Sequence, residues 1–206
     1  MTDEAQFHTD GTVNKQNCRL WGDEKPRAPA EQELQFPSLT VWCGVGRKGI
    51  LGPLFFEEGG RAATVTASRY KHMLASFVMP KLDDLGVPRS KVWWQQDGAT
   101  AHTATSVLNF LQILFPGKVL ANGGSLPWPP QSTDLTLHDF FLWGLLKIQV
   151  YSQPVRSLRQ LKSRICATVR ALSETLVPDA VGALPTRLRE CVRRGGGHLE
   201  HVLPHH

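Results

Sequence analysis

The stretch WWQQDGATAHTA, residues 93–104, drives a run of bulky residues into one carboxylate, Asp97, and follows it with small residues and a histidine. Residues 92–96 read as a short strand without strict alternation, the pattern of a strand covered on both faces. Gly98 and Ala99 permit a tight turn just past the acid. A helix is expected next, since Val107, Leu108, Leu111, Leu114 and Phe115 share one face at helical spacing and Pro116-Gly117 stops them. Residues 118–121 form another short strand. Chemistry in open α/β sheets collects at the carboxyl ends of strands, and Asp97 stands at such an end. Asp is also a common turn former and helix cap, so this position alone does not assign a function.

Outward from there, the chain alternates between periods of two and of three to four. Leu39, Val41, Cys43 and Val45 alternate with Thr40, Trp42 and Gly44, which makes a strand. Residues 46–49, GRKG, read as a hairpin turn, and the return strand carries Pro53, a sign of an edge or bulge. From Thr66 the spacing of Tyr70, Met73, Leu74, Phe77 and Val78 predicts a helix capped by Thr66 or Ser68 and kinked or ended by Pro80. After the Gly- and Pro-rich residues 122–130, a helix is expected from about Leu135. Ser132 or Thr133 would cap it, with Asp134 near its positive end. Beyond Asp139 this helix is apolar nearly all round, so it belongs in the interior or at an interface. Leu158, Leu161, Ile165, Val169, Leu172 and Leu176 form an amphipathic stripe. A last helix holds Leu184, Leu188 and Val192, with Gly182 and Pro185 near its start, and Gly195-Gly196-Gly197 ends it. The fold class this order predicts is α/β: a mixed sheet flanked by helices. Residues 1–150 form the core, interrupted by an exposed loop at residues 23–37, and residues 151–206 form a basic helical C-terminal extension.

Composition narrows the class. The chain has 206 residues, 41% hydrophobic and 20% charged, which is ordinary for a globular protein. No apolar run reaches the roughly 18–20 residues that span a bilayer, so no membrane partner is expected. The four cysteines, Cys18, Cys43, Cys166 and Cys191, lack zinc-ligand spacing and read as reduced, mostly buried thiols. The net charge is +5, and residues 156–194 hold nine Lys/Arg against three acids. Such a block suits a polyanion partner, or simply a solvated helix face.

Two further acids strengthen the case for Asp97. Asp3 opens TDEAQFH, which reads as the tail of a strand, and Asp139 is embedded in LTLHDFFLWG. A lone carboxylate buried there would cost several kcal/mol, so it must be exposed, paired or bound to a cation. Three carboxylates at one spot repel one another unless a cation neutralises them, and hard oxygen ligands select Mg²⁺ or Mn²⁺.

TDEAQF, VNKQNCRLWG, TVWCGV, GPLFFE, QQDGATAHTA, WPPQSTDLTLHDFFLWG and RGGGHL, in this order, resemble the transposases of the mariner-like superfamily. The resemblance covers nearly the whole chain. It implies an RNase H-like core, with Asp3, Asp97 and Asp139 as the catalytic acids that hold two Mg²⁺ or Mn²⁺ ions. It further implies DNA cleavage and strand transfer at transposon ends, a nuclear location and DNA as partner. A homodimer is implied through the loop at residues 23–37. His102 matches a histidine that follows the second acid, and its plain reading is packing or hydrogen bonding beside the site. Asp134 matches a further acid, expected to cap a helix rather than bind metal. Arg187, Arg189, Arg193 and Arg194 would contact DNA phosphates.

Two departures qualify the resemblance. The family's N-terminal DNA-binding region and the upstream half of its first strand have no counterpart before Asp3, which is then expected to fray. Thr133 and Leu137 stand where the family has proline, which is expected to loosen the approach to Asp139 and shift its helix by part of a turn. The chain therefore reads as a truncated or decayed copy. Two functions stay open, an active metal-dependent DNA nuclease and an inactive DNA-binding remnant, with a purely structural protein as a third.

Overall fold

In a computed structural model the protein is described over residues 1–11, 36–129, 132–175, 177–197 and 199. Most of the expected loop at residues 23–37 lies outside the described residues, as do Cys18, Leu176, His205 and His206.

Four strands form an antiparallel sheet in chain order: β1 (Thr2–His8), β2 (Ser38–Gly46), β3 (Gly49–Glu58) and β4 (Arg61–Ala62). The GRKG hairpin forms as expected, with Gly46 opposite Gly49. The β2–β3 register slips between Trp42 and Gly44, next to Pro53, as its position suggested. Gly52 has φ +119°, and a Cβ there would stand 3.0 Å from the Trp42 carbonyl oxygen, so a larger residue cannot take its place unstrained. Two shorter strands, β5 (Trp94–Gln95) and β6 (Val119–Leu120), pair in parallel. Thr2 links the sheets by donating its hydroxyl to the Gln95 carbonyl at 3.1 Å.

The alternation in β2 acquires a second meaning here. Leu39, Val41, Cys43 and Val45 enter one core with Phe7, Phe141, Leu146, Leu161 and Ile165, while Trp42 enters another with Tyr70, Leu74, Trp94, Leu111 and Phe115. Period two thus sorts apolar residues between two covered faces rather than between core and water.

Helices cover both faces. On one side lie α1 (Ala67–Met73), α2 (Met79–Asp84), α3 (Thr100–Thr103) and α4 (Thr105–Leu114). Thr66 caps α1, its hydroxyl accepting from the Arg69 N–H. Of the two effects expected at Pro80, a kink or an end, the helix does not end there. The chain passes from α1 to α2 through a π turn at Leu74–Val78, where the Met79 N–H reaches back to the Leu74 carbonyl. The widened turn gives the proline ring room that a regular α-turn would deny it.

The other face carries α5 (Trp143–Val150), α6 (Leu158–Thr175) and α7 (Val177–Arg193). Leu161, Ile165, Val169 and Leu172 are buried along α6, the stripe its spacing predicted. Three expectations change on this side. Ser132 and Thr133 do not cap α5: the Leu135 and Thr136 N–H groups fold back onto the Ser132 carbonyl as a separate turn, and a π turn at His138–Leu142 precedes the helix. α5 is not buried all round, since the apolar Ile148 is 71% exposed. α7 begins at Val177, well ahead of Pro185, and buries Val177, Ala180 and Arg187, leaving Leu188 and Val192 exposed. Cys43 is buried, but Cys166 and Cys191 are only partly so. Among the described residues no helix is long and apolar enough to cross a membrane.

Leu161 has no exposed surface and packs into the core shared by β1, β2 and α5–α7. Leu161→Ala should therefore lower unfolding free energy by about 2–5 kcal/mol in a urea titration. A loss below about 1 kcal/mol would mean that α6 is not part of that core.

Candidate active site

Asp3, Asp97 and Asp139 come from three elements and meet electrostatically. Asp3 does not fray: it pairs with Cys43 across β1–β2, and Met1 continues the ladder, its carbonyl accepting the Val45 N–H at 2.8 Å. The Asp3 carboxylate accepts the Trp143 indole N–H at 2.7 Å. Burial, then the charge of Asp139, holds its proton affinity well above the usual carboxylate range, against the Trp143 hydrogen bond.

Asp97 follows the tip of β5. Gly98 does not use the left-handed conformation, and a Cβ there would meet nothing within 4 Å. The turn is made instead by the acid itself, whose Oδ1 accepts the Ala99 N–H at 3.0 Å. His102 donates Nδ1–H to the same oxygen at 2.5 Å and Nε2–H to Glu4 at 3.2 Å. Burial would raise the Asp97 pKa, but the hydrogen bond and charge of His102 and the Ala99 N–H outweigh it, and the pKa is lowered. Burial would likewise deprotonate His102, yet hydrogen bonds to Asp97 and Glu4 push its pKa up to about 10.

Asp139 lies in the π turn ahead of α5 and is exposed as a residue. Partial burial of its carboxyl, then the charge of Asp97, raises its pKa to about 6 against the opposing charge of Lys147. All three acids thus sit within electrostatic reach of one another. Among the described residues, however, no group of three His, Cys, Asp or Glu side chains is set closely enough to hold a metal ion. A cavity of about 540 Å³ lies elsewhere: it opens at the start of β1 between Val45, Trp93, Trp94 and Leu188, and none of the three acids lines it.

The remaining expected residues divide. His102 hydrogen-bonds beside the acids, and only 1% of it is exposed. Asp134 does not cap a helix: its Oδ2 accepts the Leu199 N–H at 3.0 Å, tying the C-terminal segment to the core. Arg187 departs from the expected phosphate contact. It is 5% exposed, donates Nε–H to the Asp134 carbonyl at 2.8 Å and lies 4.1 Å from the centre of the Phe140 ring. Arg193 and Arg194 are turned onto Glu190, and Arg189 is exposed. Glu4 was missed by the sequence reading. Its only signal is adjacency to Asp3, and strand alternation sends the two side chains to opposite faces.

No protein-family model matches the chain, and no curated protein matches it. Solved structures do. A Mos1 transposase paired-end complex with left transposon end superposes with TM-score 0.73 at 20% identity, covering 97% of this chain and 55% of that one. The crystal structure of the Mos1 mariner transposase catalytic domain superposes with TM-score 0.65 at 24% identity, covering 80% of this chain and 76% of that one. The fold is that of the Mos1 catalytic domain. The expected RNase H-like class is therefore the one present. The chain spans about half the length of the Mos1 chain in the paired-end complex. The Mos1 catalytic domain has also been solved with Mn and with Mg, in the presence of raltegravir.

The raised Asp139 pKa has a consequence for stability in chelator-treated protein. A carboxyl shifted from 3.8 to about 6 binds its proton more tightly folded than unfolded, so stability falls as pH rises through that window. Asp139→Asn removes the penalty. The variant should melt above the parent at pH 7.5, with the gap closing by about pH 3.5. A gap that widens toward acid would refute the sign of the shift.

Proposed function

We propose that this chain is a transposase-like catalytic core in which Asp3, Asp97 and Asp139 hold divalent ions, Mg²⁺ or Mn²⁺, against DNA. The carrying observation is that three carboxylates borne on β1, the tip of β5 and the turn before α5 lie within electrostatic reach of one another, Asp97 and Asp139 acting on Asp3 and Asp97 on Asp139. The donor set fits the group, being all hard oxygen, and the raised proton affinities of Asp3 and Asp139 record a concentration of negative charge that a cation would relieve. When bound, a pair of such ions activates water and stabilises the leaving oxygen of a phosphodiester. The protein's own part is positional. Trp143 orients Asp3, His102 and the Ala99 N–H orient Asp97, and Lys147 offsets the charge of Asp139. Transposon-end DNA appears with Mos1 in its paired-end complex, and we extend DNA as the substrate to this chain on the likeness of fold. A nuclear location and a second copy of the chain as partner belong to the same proposal.

A second reading is an inactive DNA-binding remnant. It is favoured by the spacing of the acids, which form no ready ion cluster among the described residues. Incubation with supercoiled plasmid and Mn²⁺ separates the two. The catalytic reading expects nicking that Asp97→Ala abolishes. Absence of nicking, or nicking that survives the substitution, removes the catalytic reading.

DNA affinity itself should be steeply salt-dependent and sequence-blind. Arg189→Ala should flatten the plot of log affinity against log salt by about one phosphate contact, roughly 0.9 in slope. Arg187→Ala should instead lower the melting temperature, because it strips a buried partner from the Asp134 carbonyl. Filter binding across a salt series, with a melt of each variant, checks both. An Arg187→Ala protein of parental stability and reduced salt slope would reverse the assignment.

A further inference from the structure

We propose that Glu4 is a positioning residue: through His102 it holds Asp97 at a set spacing from Asp3, its own neighbour on β1. The inference rests on the reading of Asp3 and Asp97 as cation ligands. Their strands belong to different sheets, β1 pairing with β2 and β5 with β6, so among the described residues no main-chain ladder sets the distance between them. Side chains must do so. Thr2 bonds the Gln95 carbonyl at 3.1 Å and approaches the Tyr70 hydroxyl at 3.4 Å. A second bridge is Glu4–His102–Asp97, spanning from β1 to the turn after β5 through the two nitrogens of one imidazole.

That imidazole cannot swing. Its residue is 1% exposed, the Tyr70 ring lies 4.4 Å away centre to centre, and Gln96 donates to the His102 carbonyl at 2.8 Å. Gln96 is held in turn by the Tyr70 hydroxyl at 3.0 Å and the Trp94 indole N–H at 3.3 Å. A ring fixed on its sides transmits position from one end to the other. The Glu4 side chain is 14% exposed and its backbone is registered against Trp42, so the β1 end is anchored as well. Both contacts on Asp97 fall on Oδ1, which leaves its second oxygen for a cation. Because Asp3 and Glu4 point to opposite faces of β1, Glu4 steadies the site without competing for the ion.

Glu4→Gln, Glu4→Ala and Glu4→Leu test this, read by Mn²⁺ calorimetry and, in metal-free protein, by the His102 ring nitrogen and Asp97 carboxyl NMR signals. Glu4→Ala and Glu4→Leu should shift both sets of signals and weaken Mn²⁺ binding by tenfold or more, the cost usual for losing an orienting partner. Glu4→Gln keeps an acceptor for Nε2–H and should recover most of that affinity. A Glu4→Leu protein with parental Asp97 and His102 signals overturns the proposal, since Glu4 would then serve packing alone. Should Glu4→Ala fail to fold, Glu4→Leu decides: unaltered His102 signals count against the bridge, and His102 and Asp97 signals that shift together support it. If the parent takes up no Mn²⁺ while the signals move as expected, the cation reading fails and the bridge stands.

Discussion

Like charges crowded onto rigid supports set the terms for this site. Asp97 and Asp139 both raise the energy of ionising Asp3, and Asp97 does the same to Asp139. Asp3 is fixed by a strand register, Asp97 by its own turn and His102, and Asp139 by the turn that opens α5. The strain is shared unequally because donors are. Asp97 receives two hydrogen bonds and a neighbouring positive charge, and alone among the three it is held below the usual carboxylate range. Asp3 has one indole donor against deep burial, and Asp139 has mainly the charge of Lys147.

The frame that holds them is β2, which buries both faces and so joins two cores that would otherwise be separate layers. Its neighbour β1 divides its acids by the same period. Asp3 turns toward Trp143, and Glu4 toward His102. One strand thereby serves the site and the bridge behind it. The C-terminal helices join this frame closely. α6 and α7 share the core of β1 and β2, and Arg187 and Leu199 both bond to Asp134. A basic residue in a basic block is here a structural tie, since a guanidinium stacked on Phe140 and bonded to a carbonyl loses its reach for solvent.

The sequence by itself determined the elements, because periodicity records which side of an element meets apolar matter. The α6 stripe, the GRKG hairpin, the Thr66 cap and the strand-to-acid placement of Asp97 were all legible in local order. So were the three acids as candidates, since carboxylates in apolar surroundings require a reason. What tertiary structure alone decided was which partner each polar group met. Pro80 is carried by a π turn rather than breaking the helix, because the turn ahead of it widened. Glu4, which the sequence did not single out, bonds His102, and Arg187, expected at a phosphate, is buried against Asp134 and Phe140. No local spacing contains the contact between residues 4 and 102, or between 134 and 187, because it arises only when separate elements pack. The distances among the carboxylates belong to the same class, set by how two sheets without a common ladder are braced against each other.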